Sequence, residues 1–133
     1  MSIEFPFSVS RTPLGTLLTP IIPVEILTVR GFVQFQFLLD SGADFTLVPR
    51  HVADLVGVDL KRASAMRTFG IEGGGIRVFI GRITIRIGPE TLRIRSFFSE
   101  RDDAPFLLGR MDLFTKFKIE LGPKKKKIRF TKI

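Results

Sequence analysis

An all-β domain is predicted for this chain on three observations. Apolar and polar residues alternate over short runs, Gly and Pro punctuate nearly every run, and helical periodicity is scarce. At 133 residues the chain is one domain by length, large enough to bury a core but too short for two lobes.

Residues 25–29 and 32–39 read as a hairpin about Arg30-Gly31, a two-residue turn. In its second strand Val33, Phe35, Phe37 and Leu39 alternate with Gln34 and Gln36, the period of a strand with one buried face. Ile83, Ile85 and Ile87 alternate with Arg82, Thr84 and Arg86, and after Gly88-Pro89-Glu90 the pattern resumes with Leu92 and Ile94, giving a second hairpin. Phe117, Ile119 and Leu121 lead through Gly122-Pro123 and a lysine run to Ile128 and Phe130, a third. Two short helices are expected. One runs from Pro49 at its first position to Val56, with Val52, Leu55 and Val56 inward and Gly57 ending it; the other spans residues 110–115.

Composition narrows the chemistry. With no cysteine, neither a disulfide framework nor a thiolate zinc site nor a Cys/His catalytic pair can form. A single histidine, His51, argues against a histidine metal site and reads as a surface residue; no metal and no cofactor are expected. The start lacks the basic-then-apolar pattern of a signal peptide, and residues 17–29 are broken by Pro20 and Pro23, so a membrane span is not expected and a cytoplasmic protein is. The net charge of +8 is spread along the chain. Its one concentration, Lys124-Lys125-Lys126-Lys127, has no interleaved phenylalanine on which bases would stack; it reads as a solvated hairpin tip rather than a nucleic-acid site.

The residues that point to chemistry are Phe37-Leu38-Leu39-Asp40-Ser41-Gly42-Ala43-Asp44, where an apolar strand delivers an aspartate into a tight small-residue turn. Taken alone, Asp-Ser-Gly is an ordinary turn, with Asp40 bonding its own backbone. Two further segments follow in order: Phe69-Gly70-Ile71-Glu72-Gly73-Gly74-Gly75-Ile76, and Phe106-Leu107-Leu108-Gly109-Arg110-Met111-Asp112-Leu113-Phe114. Together the three resemble the active-site loop, glycine-rich flap and Gly-Arg segment of the retropepsin-like aspartic proteases. The resemblance covers residues 23–133, which it implies to be the protease domain, and leaves residues 1–22 as an N-terminal arm.

The resemblance implies a closed-barrel acid-protease fold with a flap hairpin. It also implies an aspartic endopeptidase that cleaves extended polypeptides through a water activated by two aspartates. Because this chain carries a single Asp-Ser-Gly, the dyad would need a homodimer with Asp40 from each subunit. Ser41 would brace the two loops across the dimer axis and Gly42 would offer its carbonyl to substrate. Asp44 would pair with Arg110, the alternative being two solvated charges. Gly73, Gly74 and Gly75 would form the flap tip; a phosphate loop is the competing reading, but no Gly-Lys-Ser/Thr follows and Glu72 would repel phosphate. Leu107, Ile71, Ala43 and Phe69 would line apolar pockets, and the last strand would interleave with that of the other subunit. A dimeric module that binds peptides with little or no cleavage is the alternative, suggested by Ser41 where many family members have threonine.

Overall fold

The computed structural model describes residues 2–68, 75–122 and 126–133. Its strands are β1 (Ser2–Pro6), β2 (Ser8–Thr12), β3 (Gly15–Thr19), β4 (Ile21–Thr28), β5 (Gly31–Leu39), β6 (Thr46–Val48), β7 (Ala65–Thr68), β8 (Ile76–Ile87), β9 (Glu90–Ser99), β10 (Leu107–Leu108), β11 (Phe117–Gly122) and β12 (Lys127–Lys132); one helix, α1 (His51–Val56), lies between β6 and β7. The all-β expectation holds.

Six strands close a barrel. In the order β4-β5-β10-β6-β9-β8 each is bonded to the next, and β8 returns to β4 through Glu25↔Arg86 and Ile26↔Ile85, with β7 hung on the outer part of β8. Alternation drives the closure, because a strand with one apolar face is stable only when that face is covered. Ile22, Val24 and Ile26 of β4 point inward with Ile83, Ile85 and Ile87 of β8 and Ile94 and Phe98 of β9. Along β5 burial deepens toward the aspartate: Val33 is exposed, Phe35 half-buried, and Phe37 and Leu39 buried. The expected apolar face is therefore continuous only in its second half.

The hairpins follow the sequence pattern with one shift. Thr28 pairs with Gly31, so the first turn is Val29-Arg30 rather than Arg30-Gly31. The Thr28 hydroxyl fixes it, donating to the Gly31 carbonyl at 2.7 Å and accepting from the Arg30 N–H at 3.1 Å, while Gly31 opens β5 at a φ of 104° that other residues rarely adopt. The second turn is Gly88-Pro89, with Glu90 already in β9. β11 and β12 pair from Phe117↔Lys132 to Gly122↔Lys127; Lys124 and Lys125 of the expected tip lie outside the described residues.

Helix α1 starts at His51, one turn residue after Pro49, and ends at Gly57. Its buried face is Val52 and Ala53 with Val56 half-buried, and Leu55 is exposed, so the inward stripe lies one residue away from the expected one. Residues 110–116 form successive turns rather than a regular helix: Leu113 and Phe114 donate to the Arg110 carbonyl, but Asp112 sits at a φ of 66° and interrupts the run.

Outside the barrel, β12 lies between β1 and β11 in a three-stranded sheet. Both of its edges are occupied by strands of its own chain. This departs from the expected interleaving of the last strand between subunits, because the chain ahead of the protease motifs supplies β1 as the partner. β2 and β3 form a separate two-stranded hairpin.

Candidate active site

Asp40 stands at the end of β5, where the barrel strand stops and the chain turns. Its N–H donates to the Leu108 carbonyl at 3.0 Å, its carbonyl accepts from Ala43 N–H at 3.1 Å, and its Oδ1 accepts from the Gly42 N–H at 3.0 Å. A Cβ on Gly42 would come within 3.3 Å of that same Oδ1, so glycine keeps the space in front of the carboxylate open. Asp40 is half-buried, while Ser41 and Gly42 are exposed.

The Gly-Arg segment clamps this loop from behind. β10 runs parallel to β5 (Leu107↔Leu38, Leu108↔Leu39) and antiparallel to β6 (Leu107↔Leu47), so it fills the gap between the two strands that flank the loop. Arg110 N–H donates to the Ala43 carbonyl at 3.0 Å and Met111 N–H to the Asp44 carbonyl at 2.9 Å. Gly109 N–H donates to Thr46 Oγ1 at 3.1 Å, and a Cβ there would sit 2.4 Å from the Phe45 backbone. Only glycine permits that approach.

The Arg110 guanidinium pairs with the Asp44 carboxylate, as the sequence suggests. The pair is not buried in the single chain: the side chains are 50% and 67% exposed. A second and fuller ion pair lies beside it. Arg95 donates to Asp112 from its backbone N–H (2.8 Å), Nε (2.9 Å) and Nη2 (2.8 Å), and these bonds hold the Asp112 carboxyl down at about 2. Sequence reading missed this pair, since only the fold brings residues 95 and 112 together.

Asp40 opens onto a groove of about 780 Å³, lined also by Gly42, Ala43, Asp44, Phe45, Leu47, Met66, Arg67, Thr68, Val78, Phe97 and Leu107. Ala43 and Leu107 are among these lining residues. The aromatic wall was not anticipated: Phe45 packs on Phe97 with ring centroids 4.5 Å apart. The apolar alternation of Phe45 and Leu47 just past the motif was its one visible signal. β7 and β8 pair from Ala65↔Phe79 to Thr68↔Ile76 and make a hairpin beside this groove, with Met66, Arg67 and Thr68 on its near strand. Gly75 precedes β8 at a φ of 64°; Phe69, Ile71, Gly73 and Gly74 lie outside the described residues. His51 is on the surface, its Nδ1 3.7 Å from Asp102. Among the described residues no cluster of three or more His, Cys, Asp or Glu is arranged to hold a metal ion, and no helix is long and apolar enough to cross a membrane.

Comparison with known proteins agrees with this geometry. A search of curated protein sequences returns no match. Among solved structures, the chain is similar to a retropepsin-like aspartic protease from Rickettsia conorii, with a TM-score of 0.64 at 17% identity over 98% of this chain and 91% of that one. It is also similar to the EIAV protease in an inhibitor complex, with a TM-score of 0.53 at 22% identity over 69% of this chain and 82% of that one. At such identities the likeness establishes the fold. The family model described as "gag-polyprotein putative aspartyl protease" matches residues 27–116, more than half of the chain and the whole span from the strand before Asp40 to the turns after Arg110, so the chain belongs to this retropepsin-like aspartic protease family.

Proposed function

We propose that the protein is an aspartic endopeptidase that acts on extended polypeptides as a homodimer, with Asp40 of each subunit forming the catalytic pair. The observation that carries this reading is the setting of Asp40: a carboxylate on a loop fixed by backbone bonds to β10, facing a peptide-sized groove with apolar walls. Residues 23–133, with Ile21 and Ile22 that begin β4 and β1 that pairs with β12, serve as the catalytic domain, and of the expected arm at residues 1–22 only the β2–β3 hairpin stands apart.

Two carboxylates brought together cannot both ionise, so the pair holds one proton. The ionised member takes a proton from water as the water oxygen attacks the scissile carbonyl carbon, and the protonated member donates to the carbonyl oxygen. Collapse of the tetrahedral intermediate breaks the C–N bond with a proton passing to the leaving nitrogen, and the pair keeps a single proton. In this reading Ser41, exposed beside Asp40, braces the opposite loop, and Gly42 offers its carbonyl to substrate. The flap role that the resemblance implies for Phe69, Ile71, Gly73, Gly74 and Gly75 is kept in this reading. Leu107, Ala43 and the Phe45–Phe97 wall favour apolar side chains next to the cleaved bond. An extended peptide would add to strand edges there, so main-chain bonds supply affinity and the pockets supply preference.

Digestion of a peptide library between about pH 3 and 8, read by mass spectrometry, tests the reading. The native chain should cut, and Asp40→Asn should lose at least roughly 10³-fold in kcat/KM while keeping its dimer. Peptide binding without cleavage at any pH would leave the non-cutting module instead, and full activity in Asp40→Asn would reject the dyad.

A further inference from the structure

The geometry points to a role for the β2–β3 hairpin that the protease motifs do not touch: we propose that it is an intersubunit arm, laid on a second copy of this chain beside that copy's active-site loop. This inference rests on the dimeric reading above and adds a specific surface to it.

Three observations carry it. The first is isolation. All five residues of β2 and the first three of β3 are exposed, with Val9 and Leu17 more than half so, and the hairpin forms a sheet of its own. A two-stranded hairpin by itself is marginal in water and needs a surface to rest on.

The second is where it is rooted. The carbonyl of Pro20, the residue after β3, accepts from the Leu39 N–H at 2.9 Å, and Ile21 pairs with Leu38, so the arm leaves the barrel immediately beside Asp40. A shared-proton pair needs the second Asp40 about 3 Å away, so the second copy must approach on that same face. Strands of five residues reach about 17 Å. An arm of that length starting next to the dimer axis lies over the neighbour's loop.

The third is its tip. Thr12 Oγ1 donates to the Gly15 carbonyl at 2.7 Å and accepts from Leu14 N–H at 3.2 Å, a closed turn that presents a fully exposed Leu14. Beside the active-site loop the chain offers a seat for it: a cavity of about 610 Å³ walled by Phe45, Met111 and Phe114 and rimmed by the Asp44–Arg110 and Arg95–Asp112 pairs. Seating Leu14 there would also cover the Asp44–Arg110 pair.

The chain has no cysteine, so Leu14→Cys gives one attachment point for a photo-crosslinker on the full-length protein. Irradiation should yield a covalent dimer whose crosslinked peptides fall near residues 45 and 110–116. Separately, the Val9→Asp/Leu14→Asp/Leu17→Asp variant should dimerise at least roughly tenfold more weakly by sedimentation, with an unchanged thermal midpoint and unchanged activity per dimer at high concentration. Crosslinks confined to the same chain, or to an added substrate peptide, would overturn the arm, as would native-like dimerisation of the triple variant. A native chain that stays monomeric at every concentration would instead remove the dimeric reading itself, a result visible before any arm variant is made.

Discussion

Among the described residues, each of the six barrel strands (β4, β5, β10, β6, β9 and β8) has a bonded neighbour on each side, whereas β7 is bonded on one side only and the β1–β12–β11 sheet leaves one bare edge on β1 and another on β11. The β2–β3 hairpin has two bare edges. Unpaired strand edges are sites where another chain can add, and a closed barrel has none. The contrast separates two tasks. Asp40 is held by strands whose edges are all taken, and the edges still free to pair lie on β7, the terminal sheet and the β2–β3 hairpin.

The largest test of that division is removal of residues 128–133. If β12 were mainly an association strand, its loss would weaken a dimer and spare the fold. In this chain it is the central strand of its sheet, Ile128 and Phe130 are fully buried, and Phe130 meets Phe5 and Phe117 edge-on at 5.7 and 5.5 Å. Deleting two such side chains costs about 5–8 kcal/mol, comparable to the whole stability of a typical domain. The truncated chain should lose its cooperative thermal transition in circular dichroism, and a folded but monomeric product would contradict the assignment of β12 to the core.

The next effect falls where the barrel meets the site. Gly109→Ala places a methyl group 2.4 Å from the Phe45 backbone, and backbone cannot yield as a side-chain tip can. We expect a loss of about 3 kcal/mol in urea unfolding, and a fall in peptidase activity even where the protein remains folded, because β10 and the Asp40 loop share their hydrogen bonds. Unchanged stability would mean that the loop has more slack than these distances allow.

The sequence made the family and the motif segments legible and left much of the packing illegible, for a physical reason. Asp40, its turn, the Gly-Arg segment and the three barrel and terminal hairpins are written in residues close together in the chain, where strand period and turn type act locally. The Asp44–Arg110 pair was also found, because two motif segments named it. What escaped depends on partners far apart in the chain: the Phe45–Phe97 wall, the Arg95–Asp112 pair, and β1 taking the free side of β12. The Val29-Arg30 turn escaped for the opposite reason. A single hydroxyl, Thr28 Oγ1, decides it, and a Gly after Arg is an equally good turn signal by pattern alone.

The smallest effects distinguish the two ion pairs that flank the site. Arg95 holds Asp112 through three bonds and lowers its carboxyl from 3.8 to about 2, whereas Asp44 and Arg110 share one bond between exposed side chains. A depressed carboxyl stabilises the folded chain above its unfolded value and loses that contribution as pH falls toward the folded one. Asp112→Asn should therefore cost about 1–2 kcal/mol near neutral pH once solvent screening at Arg95 is allowed for, and the gap from the native chain should shrink below about pH 4 and close near pH 2. Arg110→Ala should cost less than about 1 kcal/mol in the isolated chain, since an exposed pair loses little when one member is removed. If the neighbour's arm covers that pair, the same substitution should weaken the dimer more than it destabilises the monomer. Urea unfolding and sedimentation of the one variant, measured side by side, read the difference, and equal effects on both would leave the Asp44–Arg110 pair as a solvated contact with no part in assembly.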